Sequence, residues 1–119
     1  IFASRYMKNS GSDDDTFITL IGNLFFSNIG KLFFKLPISD ILYTFVMGNT
    51  NKFKMINFKK KDFGLCVELP IKCYQNKFLI TDISSWERPR IAGKKKVKAF
   101  RDGLIILIDM IKLFFKKDV

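Results

Sequence analysis

The clearest hydrophobic period in the chain lies near its C-terminal end. Phe100, Leu104, Leu107, Ile111 and Phe114 recur at alternating spacings of four and three, which is one continuous face of a helix expected over about residues 95–117. Ile105, Ile106, Ile108 and Phe115 widen that face, while Arg101, Asp102, Asp109 and Lys112 mark the side expected to meet water. Lys116 and Lys117 suit the negative end of the helix dipole. No second helix of this quality is evident, so the pattern predicts that it packs on a sheet.

Elsewhere the pattern favours strands. Phe63, Leu65, Val67 and Leu69 alternate at a period of two, and Phe53 and Met55 alternate with Lys52, Lys54 and Asn57. Lys59-Lys60-Lys61-Asp62 then reads as the tip of a hairpin between them. Ile41 to Val46 forms a further strand candidate, ended by the turn residues Gly48-Asn49-Thr50-Asn51. Phe17 to Asn28 and Leu32 to Leu36 read as a hairpin about Asn28-Ile29-Gly30-Lys31, with a helix over Phe17 to Phe34 as the rival reading. Pro70 interrupts, Cys73-Tyr74 and Phe78-Leu79-Ile80 offer a last strand or hairpin, and Ser84 to Gly93 reads as a long connection.

At the other end, Ile1 to Lys8 offers a short strand, and Asn9-Ser10-Gly11-Ser12-Asp13-Asp14-Asp15 reads as a mobile acidic loop whose aspartates are solvated. Residues 1–15 are thus expected to be an N-terminal strand or arm with a flexible loop, and residues 16–119 the main body of one domain. A chain of 119 residues, 48% apolar, is ample for one core. No apolar stretch is expected to span a membrane, because Asn23, Asn28, Lys31, Lys35 and Asp40 interrupt the segment from Phe17 to Val46. The domain is expected to be monomeric and cytoplasmic, attached peripherally to membranes.

Charge changes the picture more than composition does. The formal net charge is +10, enough to draw anionic partners, although the lysine-rich, Phe- and Asn-rich usage also matches an AT-rich coding bias. One basic cluster is Lys52, Lys54, Lys59, Lys60 and Lys61, expected along a hairpin edge. The second is Arg88, Arg90, Lys94, Lys95, Lys96, Lys98 and Arg101, opposed within its span by no acid and preceded by Glu87. Positive charge at a helix start works against the dipole, so this cluster points to a role outside folding. Trp86 beside it is the candidate for insertion at headgroup level.

Catalysis is disfavoured by inventory. There is no histidine, Glu68, Glu87, Asp102 and Asp109 are isolated carboxylates, and no glycine-rich phosphate loop is present. Cys66 and Cys73 match neither a redox pair nor a zinc knuckle and read as reduced residues of neighbouring strands, so no metal or other cofactor is expected.

The stretch Leu36-Pro37-Ile38-Ser39-Asp40-Ile41, followed by Phe53-Lys54-Met55-Ile56, by the alternating Phe63 to Leu69 and by a C-terminal amphipathic helix, resembles the pleckstrin-homology superfamily. Apicomplexan modules of that superfamily that read phosphatidic acid are compatible in composition. The resemblance implies an α+β fold, a bent antiparallel sheet or barrel of about six or seven strands capped by the one C-terminal helix. It departs from the family in lacking a tryptophan within that helix, and only Arg5 and Lys8 stand in for the basic signature of the first hairpin. The function expected is non-enzymatic attachment to anionic phospholipid headgroups, phosphatidic acid or a phosphoinositide, through the two basic clusters. An RNA-binding module, or a protein-docking module of a larger assembly, is the alternative.

Overall fold

The computed structural model describes residues 1–116 and is mainly helical. Its elements in chain order are β1 (Phe2–Ser4), β2 (Gly11–Ser12), α1 (Phe17–Phe34), α2 (Thr50–Met55), α3 (Leu65–Gln75), β3 (Asp82–Ser84), β4 (Trp86–Glu87) and α4 (Ala99–Phe115). The expected barrel of six or seven antiparallel strands is overturned. Four helices and two short two-stranded parallel sheets stand in its place, and the named strands do not close on one another. The expectation for Lys117 lies outside the described residues.

Local chemistry explains each departure. Thr16 caps α1 by accepting the Thr19 N–H, and the Thr19 hydroxyl returns to the Thr16 N–H, so a reciprocal box starts a helix where a hairpin was expected. The expected Asn28–Lys31 turn is mid-helix, and the real stop is Lys35 at φ 55°, in the left-handed region. The strand expected around Phe53 and Met55 is instead α2, because the Asn49 side chain accepts from the Asn51 and Lys52 amides at 2.9 and 3.2 Å. The alternation of Phe63, Leu65, Val67 and Leu69 is overridden by α3, whose residues 67–72 are all buried, with Glu68 and Lys72 paired to each other at 2.7 Å, so burial there is not confined to one face. Pro70 lies inside α3 and does not end it.

The sheet is built from the two ends of the chain. Residues 82–87 form one extended run that pairs in parallel first with β1, Phe2 opposite Asp82, and then with β2, Gly11 opposite Trp86. The Ser85 amide donates to Ser4 at 2.8 Å and the Gly11 amide donates to Ser85 at 3.2 Å, so Arg5 to Ser10 loop out between the two halves. On the other side of β1, the Ala3 amide donates to Phe45 and the Met47 amide to Ile1, each at 2.9 Å. The segment expected as a strand from Ile41 to Val46 is thus represented by one antiparallel bridge, Phe2 to Val46.

Phe2, Phe26, Leu36, Ile38, Ile41, Val67, Leu69, Ile71, Ile106 and Met110 form the core, between α1, α3, α4 and the segment after α1. The C-terminal helix is where the sequence placed one, but its faces are partly inverted: Ile106 and Leu107 pack inward and Arg101 and Lys112 meet water as expected, and other positions do not. Asp102 and Asp109, expected in water, are buried, while Phe100, Leu104, Ile111 and Phe114, expected in the core, are exposed. α1 has the same inversion: Asn23, Ser27 and Gly30 are buried with Phe26, and Phe17, Ile18, Ile21, Leu24, Phe25, Leu32 and Phe33 face outward. By length and composition α1 is also long and apolar enough to cross a membrane, contrary to the expectation from its interrupting asparagines, with 17% of it buried.

Candidate functional site

Arg5 organises the polar centre of the molecule. Its Nε and Nη2 donate to the two oxygens of Asp40 at 2.8 and 3.0 Å, and its backbone N–H reaches Asp40 at 3.1 Å. The remaining Nη1 meets Glu87 at 3.1 Å and lies 3.6 Å from Asp15. The guanidinium also sits 4.5 Å from the centre of the Tyr43 ring. Burial alone would lower the pKa of Arg5, but the bonds and charge of Asp40 and Glu87 outweigh it and push it further up. Burial, with the bond to Asp15, likewise pushes the Tyr6 phenol up, although the nearby Arg5 charge opposes this. Arg5 is therefore a structural hub and not a lipid contact.

The acidic loop is also structural. The Trp86 indole N–H donates to Asp13 at 2.8 Å, Tyr6 donates to Asp15 at 2.9 Å, and Asp14 accepts from Arg90 at 3.3 Å with Lys95 at 3.6 Å. The Lys95 ammonium also donates to the Asp14 carbonyl. Far from being a mobile, solvated tract, Asp13 and Asp14 fasten the start of the chain to β4 and the segment after it, and Asp15 binds Tyr6 nearby. Composition alone gives no signal for this, because the partners of Asp13 and Asp14 lie more than 70 positions away.

The second basic cluster lies mainly on the irregular segment between β4 and α4. Arg88, Arg90, Lys94, Lys95, Lys96 and Lys98 are all exposed and close in sequence. Arg90 and Lys95 share Asp14, while Arg88, Lys94, Lys96 and Lys98 have no ion pair among the described residues. Asp102 receives the Lys98 backbone N–H at 2.7 Å, which places a carboxylate at the start of α4 and offsets part of the unfavourable charge there. Trp86 is half exposed, and its ring covers Gly11 so closely that a β-carbon there would lie 3.0 Å from ring atoms.

The first basic cluster is not brought together as expected. Lys52 and Lys54 stand two apart on α2, so they do not share a helix face, and the Lys52 ammonium lies 5.4 Å from the Phe78 ring centre. Lys60 is paired with Asp109 on α4 at 2.5 Å, and that hydrogen bond pushes its pKa up against the opposing effect of burial. Lys59 and Lys61 are exposed, although the Lys59 and Lys60 backbone amides are held by Glu68 at 2.9 Å. Cys66 and Cys73 are free thiols on α3, not on neighbouring strands, and burial raises both pKa values.

Two chambers with part of their lining in common lie beside the second cluster. One, of about 290 Å3, is lined by three cations, Arg5, Arg90 and Lys95, and by three carboxylates, Asp14, Asp15 and Glu87, among its other residues. The other, of about 320 Å3, lies along the seam of α1 and α4 between Ile18, Gly22, Phe26, Phe100 and Gly103. Thr19, Asn23, Leu42, Val97 and Ile106 line both. Comparisons with protein-family models, with curated proteins and with solved structures return no match to this chain.

Proposed function

We propose that this domain attaches peripherally to membranes that carry anionic phospholipid headgroups, without catalysing a reaction. The observation that carries the reading is the inversion of α1 and α4. Both helices bury carboxylates, amides or hydroxyls beside a few core residues, Phe26, Ile106 and Met110, and leave many large apolar side chains facing outward. A monomeric surface rarely leaves so much apolar side chain in water without a use for it. Phe33 and Phe114 meet edge to face at 5.8 Å, so the two outward faces are joined at the α1–α4 seam.

Charge complementarity supports an anionic bilayer as the covering phase. Arg88, Lys94, Lys96 and Lys98 lead directly into α4, and near an anionic bilayer each contributes on the order of 1 kcal/mol. The apolar faces would lie in the interface plane, with Trp86 at headgroup level. An in-plane α1 also keeps its inward contacts: Ser27 accepts the Ile41 N–H at 3.1 Å, and Asn23 reaches Asp15 at 3.4 Å. The basic contacts proposed are Arg88, Lys94, Lys96 and Lys98 first, with Arg90 and Lys95 behind Asp14; Lys52, Lys54, Lys59 and Lys61 are secondary.

The test is co-sedimentation with liposomes of matched net charge carrying phosphatidic acid, a phosphoinositide or phosphatidylserine, with single-stranded RNA as competitor. Binding to the phosphate-bearing lipids that falls more than tenfold in Lys94→Glu with Lys96→Glu is the expected result. RNA that binds tightly while every liposome is ignored would replace this reading with a nucleic-acid one.

A further inference from the structure

We infer that the outer edge of the extended run of residues 82–87 is a docking site for one strand of an acidic peptide, which would add to the sheet by backbone pairing. The site lies on the sheet, not on the outward faces of α1 and α4 that carry the membrane reading. Backbone bonds fix which way the edge faces. The carbonyls of Thr81, Ser85 and Glu87 accept from the Phe2, Gly11 and Asp13 amides, and the Ser85 amide donates to Ser4. The odd-numbered residues of the run thus turn their polar groups to β1 and β2, and along an extended chain the residues between them point the opposite way. The N–H and C=O groups of Asp82, Ser84 and Trp86 have no partner among the described residues, since β3 pairs with β1 and β4 with β2. Ile83, Ser84 and Trp86 are exposed.

The usual guards of a strand edge are missing here. From Phe78 to Glu87 there is no lysine, arginine or proline, the residues that ordinarily keep an edge from pairing. Asp82 turns its carboxylate inward, to the Ser39 amide and hydroxyl at 2.8 and 2.6 Å. The Trp86 ring lies back over Gly11 with its N–H on Asp13, so the largest side chain of the run is held toward β2 and away from the open edge. Pro89, which has no N–H, ends the ladder that a partner strand can use.

Charge names the occupant. Arg90 and Lys95 are held to Asp14 beside the Trp86 end of the run, because the neighbouring Asp13 amide donates to the Glu87 carbonyl at 2.8 Å. Arg88, Lys94 and Lys96, which adjoin that pair in sequence, are exposed and have no ion pair among the described residues. The acids at this end are engaged within the fold: Glu87 with Arg5 and Ser12, Asp13 with Trp86, Asp14 with Arg90 and Lys95. The charge left over at the end of the edge is therefore positive, and carboxylates on a partner strand complement it. A second copy of this chain would bring a further net charge of +10, which disfavours self-pairing. Antiparallel pairing, the more stable direction, puts those carboxylates at the N-terminal end of the partner strand.

The experiment titrates the unaltered protein with the synthetic peptide Glu-Glu-Glu-Glu-Thr-Val-Thr-Val-Thr and follows amide hydrogen exchange by nuclear magnetic resonance. Exchange at Asp82, Ser84 and Trp86 should slow about tenfold or more on binding, while Ser85, already bonded to Ser4, changes little. Peptides N-methylated on either the threonines or the valines separate strand pairing from charge attraction, because only one set of amides can face the edge. One of them should lose about tenfold or more in affinity and the other little. Arg88→Glu with Lys94→Glu should weaken the unmethylated peptide by about tenfold. No binding, equal losses from both methylations, or binding without slowed exchange at Ser84 would overturn the strand site. Undiminished affinity in the charge-reversed variant, or for the peptide with glutamine in place of glutamate, would overturn the acidic partner. Protection at Ser84 that grows with protein concentration in the absence of peptide would overturn it in favour of a second copy.

Discussion

The ammonium of Lys60 lies 2.5 Å from the Oδ1 of Asp109, a carboxylate buried in the middle of α4. This contact takes Lys60 out of the anion-binding set and holds the polar side of α4 against the body of the protein. Removing the lysine strands a buried charge whose other oxygen, Oδ2, has no hydrogen-bond partner among the described residues. Lys60→Met is therefore expected to lower stability by about 3 kcal/mol, measured by urea unfolding. Adding Asp109→Asn to Lys60→Met should recover part of that loss, because the stranded charge is gone.

Asp109 also limits what Gly64 can become. A β-carbon at Gly64 would lie 2.2 Å from Asp109 Oδ2 and 2.9 Å from Asp62 Oδ1. Gly64→Ala is expected to cost about 2 kcal/mol in the same assay, although the backbone angles there, φ −60° and ψ −24°, suit alanine. A neutral outcome would show that α3 and α4 approach less closely than this geometry requires.

Arg5 is expected to tolerate no substitution, lysine included. It places three nitrogens on Asp40 and Glu87 in a planar fork and stacks on Tyr43, which a single ammonium cannot reproduce. Arg5→Met leaves Asp40, Asp15 and Glu87 facing one another without their shared cation and should cost on the order of 3–5 kcal/mol. Arg5→Lys should fall between Arg5→Met and the unaltered protein in thermal unfolding.

Acid should unfold the protein partly through Glu68. Burial alone would raise its pKa, but the Lys72 ion pair at 2.7 Å and the Lys59 and Lys60 amides outweigh that and hold it below the ordinary carboxylate range. A group whose pKa is lowered on folding binds fewer protons in the folded state. Its contribution is complete above about pH 4.3, the ordinary glutamate value, and fades as pH falls through the lowered one. Glu68→Gln should lower stability at pH 7 and flatten the stability profile on the acid side; an unchanged acid slope would place the sensitivity elsewhere.

The orientation of α4 can be tested directly. Leu104 is exposed and Met110 is buried, so Leu104→Ser should change stability by less than about 0.5 kcal/mol, whereas Met110→Ala should cost about 2–5 kcal/mol. If α4 instead buried the face formed by Phe100, Leu104, Leu107, Ile111 and Phe114, Leu104→Ser would be the costly one. Under the membrane reading, Leu104→Ser should also weaken liposome binding.

By itself, the sequence determined a C-terminal helix, although α4 begins at Ala99 and not near Lys95, and the excess of positive charge; the connection expected from Ser84 to Gly93 instead opens with the end of β3 and with β4. The helix and the charge follow from local spacing and from counting, which need no partner. It also left a helix over Phe17 to Phe34 as a live rival, and the Thr16–Thr19 box decides for it. Only the tertiary structure decided which face of α1 and α4 turns inward. Hydrophobic periodicity reports that a helix is two-sided and assigns the apolar side to the core on the premise that water covers everything else. Here Asp109 Oδ1 finds Lys60, Asp102 receives the Lys98 amide and Ser27 receives the Ile41 amide, so much of each polar side finds partners within the fold. Such partners come from distant segments as well as near ones, and no single-helix pattern contains them. The parallel pairing of β1 and β2 with residues 82–87, and the fastening of Asp13, Asp14 and Asp15 to Trp86, Arg90, Lys95 and Tyr6, were out of reach for the same reason. Each joins residues through space whose types, read along the chain, signify only loop and solvated charge.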